Sequence, residues 1–136
     1  MAILMVAALS CSKDGGGDPE GTMNKTLMSH DIITGGGSTL KLGSTEVFMS
    51  RSENLWIENG EIAYVGQVKG LGDVKRIPTS GFSSLAAVKP GYGYVAKHKR
   101  GETVTYARIY VVQDLIGAGS GGVIGAEIKY QYPFRP

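Results

Sequence analysis

The chain has 136 residues, 21 of them glycine, with 14 basic and 12 acidic side chains and a formal net charge of +2. The charges are dispersed, with Lys97, Lys99 and Arg100 the main basic cluster, so the pattern lacks a nucleic-acid binder's basic stripe and no nucleic-acid partner is expected. One cysteine and two histidines, His30 and His98, are too few N and S ligands for a structural zinc site, and neither a metal nor another cofactor is expected.

The first element is the apolar run of residues 1–9, which ends in Ser10-Cys11. As a helix these nine residues reach about 13–14 Å, less than half of the roughly 30 Å hydrocarbon core, so they do not span a membrane. The length suits the apolar region of a secretory signal. No Lys or Arg precedes Lys13, so Met1 is expected to be internal to a longer leader. Ala8-Leu9-Ser10-Cys11 resembles a lipobox. That resemblance implies cleavage before Cys11, a diacylglycerol on its thiol and further acylation of the palmitate type. Two or more chains, at about 0.8 kcal/mol per buried methylene, give stable anchoring. The polar, glycine-rich residues that follow read as a tether. The expected organisation is therefore a signal peptide over 1–10, the lipidated cysteine and linker over 11–24, and a β-rich domain over 25–136. In the alternative, residues 1–9 are a core strand of a cytosolic protein and Cys11 is an ordinary small apolar residue.

Within the domain, strands are expected at 39–42, 46–49, 55–57, 62–68, 92–97 and 103–112. In the last of these, Ala107, Ile109 and Val111 face one way and Tyr106, Arg108 and Tyr110 the other. A further strand starts at Ala126, with Ala126, Ile128, Tyr130, Tyr132 and Phe134 along one face. Residues 70–77 have room for one short helical turn. Turn signals separate the strands, and Glu58-Asn59-Gly60-Glu61 predicts a type I′ hairpin. The fold class is all-β, an antiparallel sandwich or partly closed barrel of about 6–8 short strands.

Five strings look familiar: Ile62-Ala63-Tyr64-Val65-Gly66, Gly70-Leu71-Gly72, Ile77-Pro78-Thr79-Ser80-Gly81-Phe82, Pro90-Gly91-Tyr92-Gly93-Tyr94-Val95 and Lys129-Tyr130-Gln131-Tyr132-Pro133-Phe134. Together with the leader they resemble exported lipoproteins of Bacteroidetes-type bacteria, of a family whose domain has no assigned function. The resemblance implies a cell-envelope location, with the outer membrane expected and its leaflet left open. It carries over no catalytic residue.

Three motifs invite chemistry. Gly117-Ala-Gly119-Ser-Gly-Gly122 matches G-x-G-x-x-G, but the residues after it alternate as a strand rather than opening a helix, so a hairpin loop is expected. Glu58 and Glu61 flank the predicted turn and suit solvated positions better than a paired-carboxylate site. Gly81-Phe82-Ser83-Ser84-Leu85 misses the nucleophile elbow. The remaining lead is aromatic: Trp56, Tyr92, Tyr94, Tyr106 and Tyr110 form a candidate platform for a glycan, peptide or envelope protein. The alternative role of these rings is to complete a small core. No catalytic residue is assigned. The expected function is a membrane-anchored envelope lipoprotein acting as a non-enzymatic binding or assembly module; the alternative is a small envelope hydrolase built on acids or His98.

Overall fold

The computed structural model describes residues 18–29, 37–119 and 121–136. The expected signal peptide, the lipid-attachment residue Cys11 and His30 lie outside the described residues.

The strands are β1 (Met23–Met28), β2 (Leu40–Leu42), β3 (Thr45–Met49), β4 (Asn54–Ile57), β5 (Gly60–Gln67), β6 (Ala86–Ala87), β7 (Tyr92–Arg100), β8 (Thr103–Ile116) and β9 (Val123–Gln131). They pair antiparallel into a five-stranded sheet, β1-β9-β8-β7-β5, and a four-stranded sheet, β2-β3-β4-β6. The sheets pack face to face as an open sandwich and do not close into a barrel. A 3-10 turn at Leu71–Asp73 occupies the stretch expected to hold a helical turn.

Period-two alternation builds the core. Ala107, Ile109 and Val111 of β8, with Ala126 and Ile128 of β9 and Tyr94 and Ala96 of β7, form the inner face of the larger sheet. Leu40, Leu42, Val47, Met49, Leu55 and Ile57 face them from the smaller one. Fully burying each such aliphatic side chain contributes about 1.5–3 kcal/mol.

The larger sheet is also covered on its outer face. Residues 68–85 leave β5 and cross that face before β6 returns the chain to the smaller sheet. Val74 packs with Val95 and Phe134 there, and Val68, Ile77, Phe82 and Tyr106 close around them. Gly93 permits the approach, because a Cβ at that position would collide with the side chains of Val74 and Val68.

The described structure departs from several sequence expectations, the strand ends included, since β8 runs on to Ile116 and β9 starts at Val123. β1 begins at Met23, two residues before the expected boundary at 25, and Asp18 already pairs with Lys129 at 2.7 Å. Asn59-Gly60 does not close a two-stranded hairpin, since β4 and β5 belong to different sheets. Asn59 takes a positive φ of 53°, whereas Gly60 is needed because the Lys97 carbonyl fills the space of a Cβ. Finally, β9 stops at Gln131. Pro133 has no amide to give a ladder, and Phe134 crosses to the outer face, its amide donating to the Tyr106 carbonyl at 2.7 Å.

Candidate binding surfaces

The expected aromatic platform is divided among three surfaces. Trp56 is on the outer face of the smaller sheet, stacked on Phe48 with ring centres 4.2 Å apart and planes 12° from parallel. β-register explains this pair, because Phe48 and Trp56 are directly opposed on β3 and β4. Tyr106 and Tyr110 project from the outer face of the larger sheet, opposite Lys97 and Gly93 respectively. Tyr92 and Tyr94 share the inner side of β7, as period two requires, and Tyr94 is fully buried. The opposing glycine, Gly93, admits the protein's own Val74 rather than a ligand.

What gathers around Tyr92 and Tyr94 is a cluster at one end of the sandwich. Tyr64 of β5 is opposed to Tyr94 across the strand pair, with ring centres 5.3 Å apart, and meets Tyr92 edge-on at 6.1 Å. Lys89 holds its Nζ 5.3 Å from the centre of the Tyr92 ring and 5.7 Å from that of Tyr64. The turn Lys89-Pro90-Gly91-Tyr92 places it there. The Tyr92 amide donates to the Lys89 carbonyl, and Gly91 supplies the positive φ of 82° that this turn type needs after proline. Tyr94 fixes the turn from beneath: its hydroxyl donates to the Ala87 carbonyl at 2.7 Å and accepts the Lys89 amide at 2.9 Å. Burial raises the Tyr94 pKa well above that of an ordinary tyrosine. Tyr64 also donates to Ala87, at 3.2 Å, yet keeps 41% of its surface exposed. The sequence placed Tyr64 on a strand, but only the β5–β7 register joins it to the two later tyrosines.

Of the residues considered for catalysis, Glu58, Glu61 and His98 lie at one corner of the β5–β7 pair, where Gly60 opposes His98 and Glu61 opposes Lys97. His98 is buried, with Nδ1 3.3 Å from the backbone carbonyl of Glu58 and Nε2 without a partner. Glu61 pairs with Lys97 at 3.7 Å, and the Glu58 side chain is exposed. Between β8 and β9 the Gly117 amide donates to the Gly122 carbonyl at 2.9 Å. Among the described residues, no group of three His, Cys, Asp or Glu side chains is placed to hold a metal ion.

A second surface was not foreseen from the sequence. Lys75, Arg108, Gln131, Pro133, Phe134, Arg135 and Pro136 line a shallow cleft of about 340 Å³ on the outer face of the larger sheet. Arg108 is its fixed element. Its Nε donates to Gln131 Oε1 at 2.8 Å, and Nη2 donates to the same oxygen. Nη1 donates to the Val74 carbonyl at 2.9 Å, and the guanidinium lies 4.8 Å from the centre of the Phe134 ring. Every acceptor is neutral. Burial therefore lowers the Arg108 pKa with no carboxylate to offset it. A neighbouring cleft of similar size is lined by Tyr64, Val65, Asp73, Lys75, Arg76 and Pro78, so Lys75 borders both.

Comparisons of the chain with protein-family models, with curated proteins and with solved structures return no match.

Proposed function

We propose that the chain is a bacterial envelope lipoprotein of the exported type it resembles, anchored in the outer membrane by acyl chains on Cys11, whose β-sandwich acts as a non-enzymatic binding module for a glycan. The observation that carries the binding reading is the cluster of Tyr64 and Tyr92 beneath Lys89. The Tyr64 ring is held by its hydroxyl's bond to the Ala87 carbonyl and by its register opposite Tyr94, and Tyr92 meets it edge-on, so the two are amphipathic contact surfaces of low entropic cost. Lys89 adds donors over both rings, the polar complement that a sugar hydroxyl needs. Trp56 and Tyr110 are separate from this surface and are not assigned to it.

The front of the chain supports the anchor. An apolar run, a small residue and a lone cysteine precede the β-sandwich, with Cys11 seven positions before the ion-paired Asp18. A tether of that length reaches at most about 25 Å, so an acylated Cys11 holds the domain against the bilayer surface.

The binding reading is tested on a glycan array with the full chain and with its Tyr64→Ala and Lys89→Ala variants. Retention on one glycan class that both substitutions weaken at least about tenfold supports it. Retention that neither variant changes, or no retention on any glycan, refutes it.

A further inference from the structure

We propose that the cleft around Arg108 binds a phosphate-type oxyanion, and that it faces the membrane from which the domain is tethered. A partly buried guanidinium is ordinarily matched by a carboxylate, because desolvation without a counter-charge is costly. Arg108 instead donates to one amide oxygen and to backbone carbonyls, and stacks on Phe134. No carboxylate of the described residues lies within ion-pair distance of Arg108, Lys75 or Arg135. Three cations therefore border one cleft with no acidic side chain, and the α-carboxylate of Pro136 at its rim is the one anionic group among the lining residues, which leaves the cleft net positive. Such an arrangement concentrates positive potential and leaves it available to an anion.

The geometry divides the work. Arg108 is held in orientation by Gln131, Val74 and the Phe134 ring, so it offers an immobile contact. Lys75 and Arg135 are exposed and line the same cleft, where they add charge beside the fixed guanidinium. Three cations against one terminal carboxylate suit a phosphate, which carries charge on several oxygens, better than a neutral polar group.

Position supplies the orientation. The Gln131 side chain that accepts from Arg108 also donates, through Nε2, to the Glu20 carbonyl at 2.7 Å. The cleft is thus joined to the segment leading back to Cys11. On the anchoring reading above, on which only this orientation rests, the cleft is carried to within tether reach of lipid headgroups. Their phosphates then meet it at high effective concentration. Free phosphate has the same chemistry, so the two sources are separated experimentally.

The test uses the full chain made unacylated by Cys11→Ala, so it does not depend on whether Cys11 is lipidated in the cell. In the first arm, inorganic phosphate is titrated while side-chain and amide resonances are followed by NMR. Shifts confined to Arg108, Lys75, Gln131 and Arg135 are expected, and the Lys75→Ala/Arg135→Ala double variant weakens the affinity about tenfold. These two residues are exposed, so folding is retained. Lys99→Ala/Arg100→Ala removes the same charge from the β7–β8 hairpin and leaves the affinity unchanged. In the second arm, sedimentation with phosphatidylglycerol vesicles exceeds that with phosphatidylcholine vesicles, and only the cleft variant loses it. Phosphate binding without vesicle binding upholds the oxyanion site and overturns its membrane orientation. No shift with phosphate, or equal losses in both double variants, overturns the site.

Discussion

The hydroxyl of Tyr94 links two parts of the chain that the sequence separates by a proline turn, donating to Ala87 and accepting from Lys89. Tyr94→Phe leaves the Lys89 amide without that acceptor and is expected to cost about 1–3 kcal/mol in urea unfolding at neutral pH. The same group gives a pH signature. Because burial raises its pKa, the native state holds the phenolic proton more tightly than the unfolded chain. That contribution is complete below the ordinary tyrosine value of about 10 and is lost as pH rises through the native value. Stability of the unsubstituted chain should therefore decline on the alkaline side, and the decline should be shallower in Tyr94→Phe.

Gly60→Ala is expected to destabilise by at least about 1–3 kcal/mol, because a methyl group there meets the Lys97 carbonyl, which is backbone and cannot rotate away. Gly101→Ala is a useful contrast. Its φ of 63° makes it unfavourable by about 1–2 kcal/mol, but the space around it is open. Thermal unfolding of both should place Gly60→Ala below Gly101→Ala. The reverse order would mean that the close approach of β5 to β7 is not as described.

Phe48→Leu preserves an apolar side chain beneath Trp56 and removes the stacked ring. A loss of about 0.5–1.5 kcal/mol is expected beyond any change in buried area. Trp56 is the chain's sole tryptophan, so its fluorescence reports this pair directly. An unchanged emission spectrum would contradict the stacking.

Much of the sandwich is legible in the sequence because β7, β8 and β9 are long and end at glycine or proline signals, and because β8 alternates up to Val111, where its register with β9 first shifts. β1 is not, since Leu27 is its only fully buried residue and the exposed polar residues beside it resemble the linker. β6 consists of two alanines, too short to carry any period. Asn59-Gly60 marks a turn correctly but does not reveal that the chain changes sheets there, which depends on where β7 lies. The same limit governs the surfaces. Tyr92 and Tyr94 can be placed on one face by their spacing, whereas Tyr64 joins them only through register. Arg108 meets Gln131 and Phe134 through β8–β9 pairing and a tail that leaves its strand, neither of which the local pattern encodes.

The central claim is that this sandwich is held at the envelope by an acylated Cys11. It is tested most directly by intact mass spectrometry of membrane and soluble fractions, using protein expressed from its own gene in its native host. The account predicts a membrane-bound species that begins at Cys11 and carries an acylglycerol mass, with Cys11→Ala moving the folded domain to the soluble fraction. A soluble, unmodified chain that retains residues 1–10 would contradict it.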